Sequence, residues 1–279
     1  MSQSNLNQHY SPAVELLGIG FTALGVALSY AAVAQRFNAY VSFALTAAVF
    51  FAVAAIYAFV QVLSDWDSLR QNVVPKFFRI KLFISSVGAL VSILLLLKMQ
   101  CLPFMLNSES LWPSSISFMP GKAGLWLPLI LFIAYLVVSR SLDGNFKSWG
   151  KAVLLAATAA ALFLVAVPTQ KLNLQIAAGL FAPCWMNVLV CAYLDRYKDY
   201  ALKIPSILGC QGKFPMKSFL LINAAFFTVL VYNSVSVLFS GAGLVLYFVS
   251  LLILVFFEHK FPLFAKRWLP DLLLFTAFL

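Results

Sequence analysis

Charge is scarce in this sequence. Only 10% of its 279 residues are Asp, Glu, Lys or Arg, against 63% hydrophobic, and the mean hydropathy is +0.95. A soluble domain is nearer half apolar and a quarter charged, so a water-soluble fold is excluded. Histidine is almost missing. His9 and His259 lie far apart, which argues against a Ser-His-Asp triad or a histidine-built metal centre. The four cysteines (Cys101, Cys184, Cys191 and Cys210) form no C-x-x-C pair, so neither a zinc site nor a disulfide framework is indicated. Cys184 and Cys191 read as small apolar packing residues on a helix. Acids number 9 against 19 Lys and Arg, a net charge of +10. In a soluble protein that excess would suggest nucleic acid. In a chain this apolar, basic residues are first a matter of membrane topology, and no nucleic-acid partner is expected.

What is abundant is long uncharged sequence. A bilayer core of about 30 Å needs roughly 20 apolar helical residues. The run between Glu15 and Arg36 supplies a first span, and residues 40–63 a second. The run from Lys81 to Lys98 is shorter and crosses if both lysines snorkel. Residues 123–139, 152–170 and 172–194 give the fourth to sixth spans. Residues 218–257 are long enough for two helices, with Ser240-Gly241-Ala242-Gly243 as the hairpin between them. Residues 268–279 make a last short helix. The expected fold is all-α: a single integral membrane domain over 1–279 with about nine transmembrane helices. The similar offsets of its halves suggest two pseudo-repeated four-helix halves, roughly 13–139 and 152–257, plus the last helix.

Nine spans fix which loops share a side. Loops 64–81, 139–151, 195–217 and 258–267 then hold fifteen of the basic residues; Arg36, Lys98, Lys122 and Lys171 fall on the other side. Cytoplasmic loops collect Lys and Arg, so the N-terminus is expected in the cytoplasm; if the chain is bacterial, the membrane is the inner or plasma membrane. The polar first twelve residues carry no Lys or Arg and do not read as a signal peptide.

The acids cluster on that same side. Asp65 and Asp67 follow the second long apolar run, and Asp195 and Asp199 follow the sixth. A spacing of four puts Asp195 and Asp199 on one helix face. Two adjacent carboxylates repel unless a cation joins them, and hard oxygen ligands suit Mg²⁺, which commonly bridges to phosphates. Arg196, Lys198 and Lys203 surround the pair, and Arg70 follows Asp67; such side chains pair with phosphate oxygens. A solvated helix end laced with Lys and Arg is the plainer reading. Asp65 and Asp67, two apart, share a face only if the helix ends there. Gln61, one turn before Asp65, offers a neutral oxygen.

This pattern resembles the UbiA superfamily of intramembrane prenyltransferases, which have about nine transmembrane helices in two pseudo-repeated halves. Their acidic motifs follow the second and sixth helices, as N-D-x-x-D-x-x-x-D and D-x-x-x-D types. Asp195 and Asp199 match the second motif. Lys203-Ile204-Pro205-Ser206-Ile207-Leu208-Gly209 is similar to the family's T-I-P-x-x-L-G segment, and Arg267-Trp268-Leu269-Pro270-Asp271-Leu272 to the start of its last helix. The first motif departs from the family. With Gln61 in place of the motif Asn, Val62 and Leu69 stand where acids should be; Asp65 matches and Asp67 is out of register.

The resemblance implies Mg²⁺-dependent transfer of an isoprenyl group from a prenyl diphosphate to an aromatic or other lipid-soluble acceptor. Asp65, Asp67, Asp195 and Asp199 would hold the metal, and Arg70, Arg196, Lys198 and Lys203 the diphosphate. Tyr57, Gln61, Asn187 and Tyr193 would line an apolar cavity between the second and sixth helices. The competing reading is a non-catalytic polytopic membrane protein that binds isoprenoid or other lipid, scaffolds or transports.

Overall fold

The computed structural model describes residues 12–37, 42–69, 78–105, 122–141, 144–167, 171, 174–201, 221, 223–224 and 238–279. Every regular element among them is helical: α1 Pro12–Arg36, α2 Phe43–Leu69, α3 Phe78–Met105, α4 Lys122–Ser141, α5 Gly144–Leu164, α6 Leu174–Ala201, α7 Gly241–Phe256 and α8 Leu263–Leu273. A 3₁₀ turn, Glu258–Lys260, precedes α8, and a second, Leu274–Phe278, follows it. Four helices are long and apolar enough to cross a membrane, in spans Leu16–Arg36, Phe43–Val62, Phe78–Leu95 and Leu174–Leu194. Shorter apolar helices cover Leu127–Ser141, Ser148–Leu164, Gly241–Phe256 and Trp268–Phe278. The chain is thus an all-helical protein with the features of a polytopic membrane protein.

Most helices start and stop where the sequence changes character. Pro12 opens α1, where its missing N–H costs nothing. Ser42 caps α2 by accepting from the Leu45 N–H at 3.0 Å. Several boundaries differ from the sequence-based expectation. The fifth helix begins at Gly144 instead of 152 and so includes Lys147 and Lys151. Helix α2 runs through Asp65-Trp66-Asp67 to Leu69, so those acids do not end it. Lys81 is buried, 8% exposed, where snorkelling was expected. Ser240 is a helix cap: its Oγ accepts from the Gly243 N–H at 2.9 Å, so Gly241 to Gly243 form the first turn of α7. The last helix starts five residues early, at Leu263, and tightens to 3₁₀ after Leu273. The expected seventh helix falls largely outside the described residues, of which Leu221, Asn223 and Ala224 are helical.

The chain sorts into two compact units, Met1–Leu28 with Val41–Leu111, and Ser29–Tyr40 with Trp112–Leu279. In the first, α2 and α3 pack along a seam of small residues. A Cβ on Gly88 would come within 3.0 Å of the Phe51 carbonyl oxygen and 3.2 Å of Ala55 Cβ. One turn on, the buried Ser92 hydroxyl donates to the Ala48 carbonyl at 3.0 Å. Close backbone approach through small residues is how helices gain contact in lipid, where apolar burial alone gives no drive. Ile19 and Ala23 of α1 join Ala54 and Ala58 in a cluster ringed by Phe50, Val53, Tyr57 and Ile84.

In the second unit, α4 packs on α5, α5 on α6, and α7 and α8 on α6. Phe278 is buried between Phe163 and Phe239, with ring centroids 5.3 and 5.4 Å away. The Arg36 guanidinium donates to the Leu279 carbonyl. A Cβ on Gly243 would lie 2.8 Å from the Thr276 carbonyl oxygen, so this glycine lets the last turn close onto α7.

Candidate functional site

Helix α6 carries most of what the sequence singles out. It continues without interruption to Ala201, so the backbones of Asp195, Arg196, Lys198 and Asp199 are helical. Asp195 and Asp199 therefore occupy successive turns of one helix end, as their spacing predicts. On α2, Asp65 and Asp67 hold the equivalent place before Leu69. Two apart on a continuing helix, their positions fall on different sides of it. The side chains of all four acids, and those of Arg196 and Lys198, lie outside the described residues, as do Arg70, Lys203 and the whole segment 203–209. Two carboxylates on successive turns are hard oxygen donors of the kind that suits Mg²⁺.

The four residues expected to line a cavity are described. Tyr57 packs against the Ile19, Ala23, Ala54 and Ala58 cluster, and Gln61 is half-buried one turn further along α2. Val62, where the resemblance leads one to expect an acid, is buried at 4% exposure. Tyr193 and Asn187, on α6, are both buried.

Asn187 sits in a polar cluster that sequence reasoning missed. Its Nδ2 donates to the Asp271 carboxylate of α8 at 2.6 Å. Its Oδ1 is buried and has no hydrogen-bond partner among the described residues. One turn before it, the Pro183 carbonyl accepts from the Tyr247 hydroxyl of α7 at 2.9 Å. Tyr247 is fully buried. Pro183 has no N–H, so it cannot serve the carbonyl four residues back; prolines in membrane helices are tolerated where neighbouring groups satisfy the freed backbone. On another side of α6, Trp185 stacks between Phe181 and Trp149 at 6.1 and 6.0 Å.

Asp271 reads from sequence as an acid near the end of a span. The structure instead puts it half-buried against α6, nine residues into α8. Each member of the pair follows a proline inside a helix, Asn187 after Pro183 and Asp271 after Pro270, but that does not say which residue either one meets.

Beside this cluster is a cleft of about 10 Å³, lined by Met186 and Val190 of α6, Phe248, Leu251, Leu252 and Val255 of α7, and Ala224. That volume holds about one water molecule and is too small for a five-carbon isoprene unit. Among the described residues no three of His, Cys, Asp and Glu gather to hold a metal. No protein-family model, curated protein or solved structure matches the chain.

Proposed function

We propose that the chain is a UbiA-like intramembrane prenyltransferase of about nine helices in two pseudo-repeated halves, with its N-terminus in the cytoplasm. It transfers an isoprenyl group from a prenyl diphosphate to an aromatic or other lipid-soluble acceptor. The observation that carries this reading is the placement of both acidic pairs in the closing turns of two long apolar helices, α2 and α6. Asp195 and Asp199, on successive turns, are the principal metal ligands; Asp65 is a further candidate ligand, and Asp67 contributes less. Bound Mg²⁺ supplies neutralisation of charge on the departing diphosphate. Arg196, Lys198, Lys203 and Arg70 hold the diphosphate oxygens at the membrane surface. Apolar surroundings keep water from the allylic centre; Asn187 and Tyr193 are the candidate lining residues on α6, and Tyr57 and Gln61 the corresponding candidates on α2.

The test is thermal unfolding of the purified protein in detergent with Mg²⁺ and geranylgeranyl or farnesyl diphosphate, together with transfer of labelled isoprenyl to membrane extract. A ligand that binds only the folded state raises its stability by mass action. The expected result is a Mg²⁺-dependent rise in Tm and labelled lipid product, both lost in Asp195→Ala and in Asp199→Ala with helicity unchanged. Mg²⁺-dependent activity retained in both variants overturns the site.

The second reading, a non-catalytic polytopic protein that binds or carries lipid, is favoured by the buried Val62 where the first motif has an acid. It predicts stabilisation by an isoprenoid alcohol as strongly as by its diphosphate, without Mg²⁺ and without product.

A further inference from the structure

We infer that Lys81 is the counter-ion of Asp65, so that the first acidic position has a cation of the chain's own. The pairing does not rest on the prenyltransferase reading. Lysine is almost never fully buried unless it is paired. Lys81 is 8% exposed, whereas Leu82 and Phe83 beside it are exposed. The charged residue of this turn therefore faces the protein and the apolar ones face outward. An ammonium among apolar side chains is costly unless an anion meets it, and charged residues inside membrane helices pair with one another.

The seam between α2 and α3 sets the register. Gly88 approaches Phe51 and Ala55, and Ser92 reaches Ala48, so the two helices run antiparallel. Lys81 is seven residues before Gly88 on α3, two turns along the same face. The matching two turns on α2 lead to Ala58 and Val62, both buried and neither able to accept from an ammonium through its side chain. Asp65 comes next on the Ala58 side of α2, seven residues after Ala58, with a helical backbone. Measured along the helix axis it lies about 7 Å beyond the level of Lys81. The Cα–Cβ bonds of a helix tilt toward its N-terminus. On antiparallel helices that tilt carries α3 side chains toward the Leu69 end of α2, and α2 side chains back toward them. The flexible four-carbon stem of lysine covers the rest. Asp67, two residues on, falls on another side of α2. Arg79, the nearest other cation on α3, is exposed. The rival acid is Glu15, one turn before Ile19 on α1. Helix α1 meets α3 through Ile84, to one side of the line from Lys81 through Gly88 to Ser92, so Lys81 faces α2. Where the resemblance calls for a metal-binding acid, Asp65 thus has its charge balanced when no metal is bound.

The test is thermal unfolding of the purified full chain in detergent, without Mg²⁺ or diphosphate, with Asp65→Asn placed in two backgrounds. In the wild type it leaves the Lys81 ammonium without its anion, and Tm is expected to fall by on the order of 5 °C. Lys81→Met keeps the length of the side chain and removes the charge, so the carboxylate becomes the unpaired group. In that background Asp65→Asn is expected to leave Tm unchanged or to raise it. Lys81→Arg keeps the charge and is expected to keep the wild-type response. An equal fall in the wild type and in Lys81→Met overturns the inference, as does a change of sign shown by Glu15→Gln in place of Asp65→Asn. Because replacing a buried lysine can impair folding, carbodiimide treatment of the wild type gives a second measurement, since it joins an amine to a touching carboxylate without a spacer. A Lys81–Asp65 link between peptides is expected; a link from Lys81 to Glu15 or Asp67 in its place overturns the pairing. With neither Mg²⁺ nor diphosphate present, failure here leaves the Asp195 and Asp199 site standing, and activity retained in Asp195→Ala leaves this pair standing.

Discussion

Helices α3 and α6 are close to equal in length and both are apolar enough to cross a membrane, yet they do different work. Of the α3 span, Phe78–Leu95, 22% is buried; of the α6 span, Leu174–Leu194, 67% is buried. Helix α3 turns Leu82, Phe83, Val87, Leu90, Ile93 and Leu94 outward and meets α2 along one seam at Gly88 and Ser92. Helix α6 is enclosed by α5, α7 and α8, and holds the buried Asn187. Hydropathy does not separate the two, because lipid is as apolar as a protein core. Composition does in part: α6 carries Ala, Gly, Cys, Pro and Asn through its middle, whereas α3 confines its small residues to one seam around Gly88 and Ser92 and is otherwise Leu, Ile, Val and Phe. Small and polar residues mark helix contact in membranes, whereas large aliphatics suit lipid equally well.

The sharpest way to break that comparison is to remove the same atoms from each helix. Leu189 of α6 is fully buried, and Leu90 of α3 is 57% exposed. Leu189→Ala leaves a cavity, and is expected to cost about 2–4 kcal/mol in unfolding measured by detergent titration. Leu90→Ala faces lipid, which fills the gap, and is expected within about 0.5 kcal/mol of wild type. Similar losses at both sites would mean that the outer face of α3 is covered by protein.

A smaller effect is expected at Gly243. An added Cβ meets the Thr276 carbonyl oxygen at 2.8 Å and the Leu279 carbonyl carbon at 3.0 Å, both backbone atoms that cannot turn aside. Gly243→Ala is expected to cost about 1–3 kcal/mol by overpacking. Gly18, on α1, has nothing within 4 Å, so Gly18→Ala is expected to be neutral or slightly stabilising through helix propensity. Thermal unfolding of the two variants side by side gives the contrast; equal Tm values would show that the Leu274–Phe278 turn is not held against α7.

How much of this the sequence carried depends on what each residue competes with. Uncharged runs located α1 to α6, with ends off by up to eight residues, because a long apolar segment satisfies its backbone in lipid as a helix. Asp195 and Asp199 were legible as one helix face because a period of 3.6 needs no partner helix to act. The ends were less legible. Helix α2 passes through Asp65-Trp66-Asp67, since acids at a wet helix end do not break it, and α5 starts at Gly144 because Lys147 and Lys151 are good helix formers. The pairing of Asn187 with Asp271 was not legible. Eighty-four residues separate them, and no periodicity within one helix says which neighbour a polar side chain will meet.

Tyr247 sharpens the α6 side of the comparison. Its hydroxyl donates to the Pro183 carbonyl at 2.9 Å from a fully buried position. Tyr247→Phe keeps the ring and removes one hydrogen bond, so a loss of about 1 kcal/mol is expected. An unchanged midpoint in detergent unfolding would show that the carbonyl finds another donor.

The smallest effect is expected in the seam of α3. Ser92 donates from a buried hydroxyl to the Ala48 carbonyl of α2 at 3.0 Å. Interhelical hydrogen bonds in membrane proteins average about 0.6 kcal/mol, because the separated helices also find partners for their polar groups. For Ser92 such a partner is at hand: on a free helix its hydroxyl can turn back to the carbonyl four residues earlier, at Gly88. Ser92→Ala is therefore expected to cost no more than about 0.6 kcal/mol, and it keeps the residue small, so α2 and α3 stay close. Ser92→Leu removes the same hydrogen bond but adds bulk one turn from Gly88, where an added Cβ would already press on the Phe51 carbonyl oxygen at 3.0 Å. It is expected to cost more than the alanine variant, about 1–3 kcal/mol. Unfolding of the pair in detergent separates the two contributions. A larger loss in Ser92→Ala than in Ser92→Leu would show that the seam is held by its hydrogen bond and that close approach of small residues contributes little.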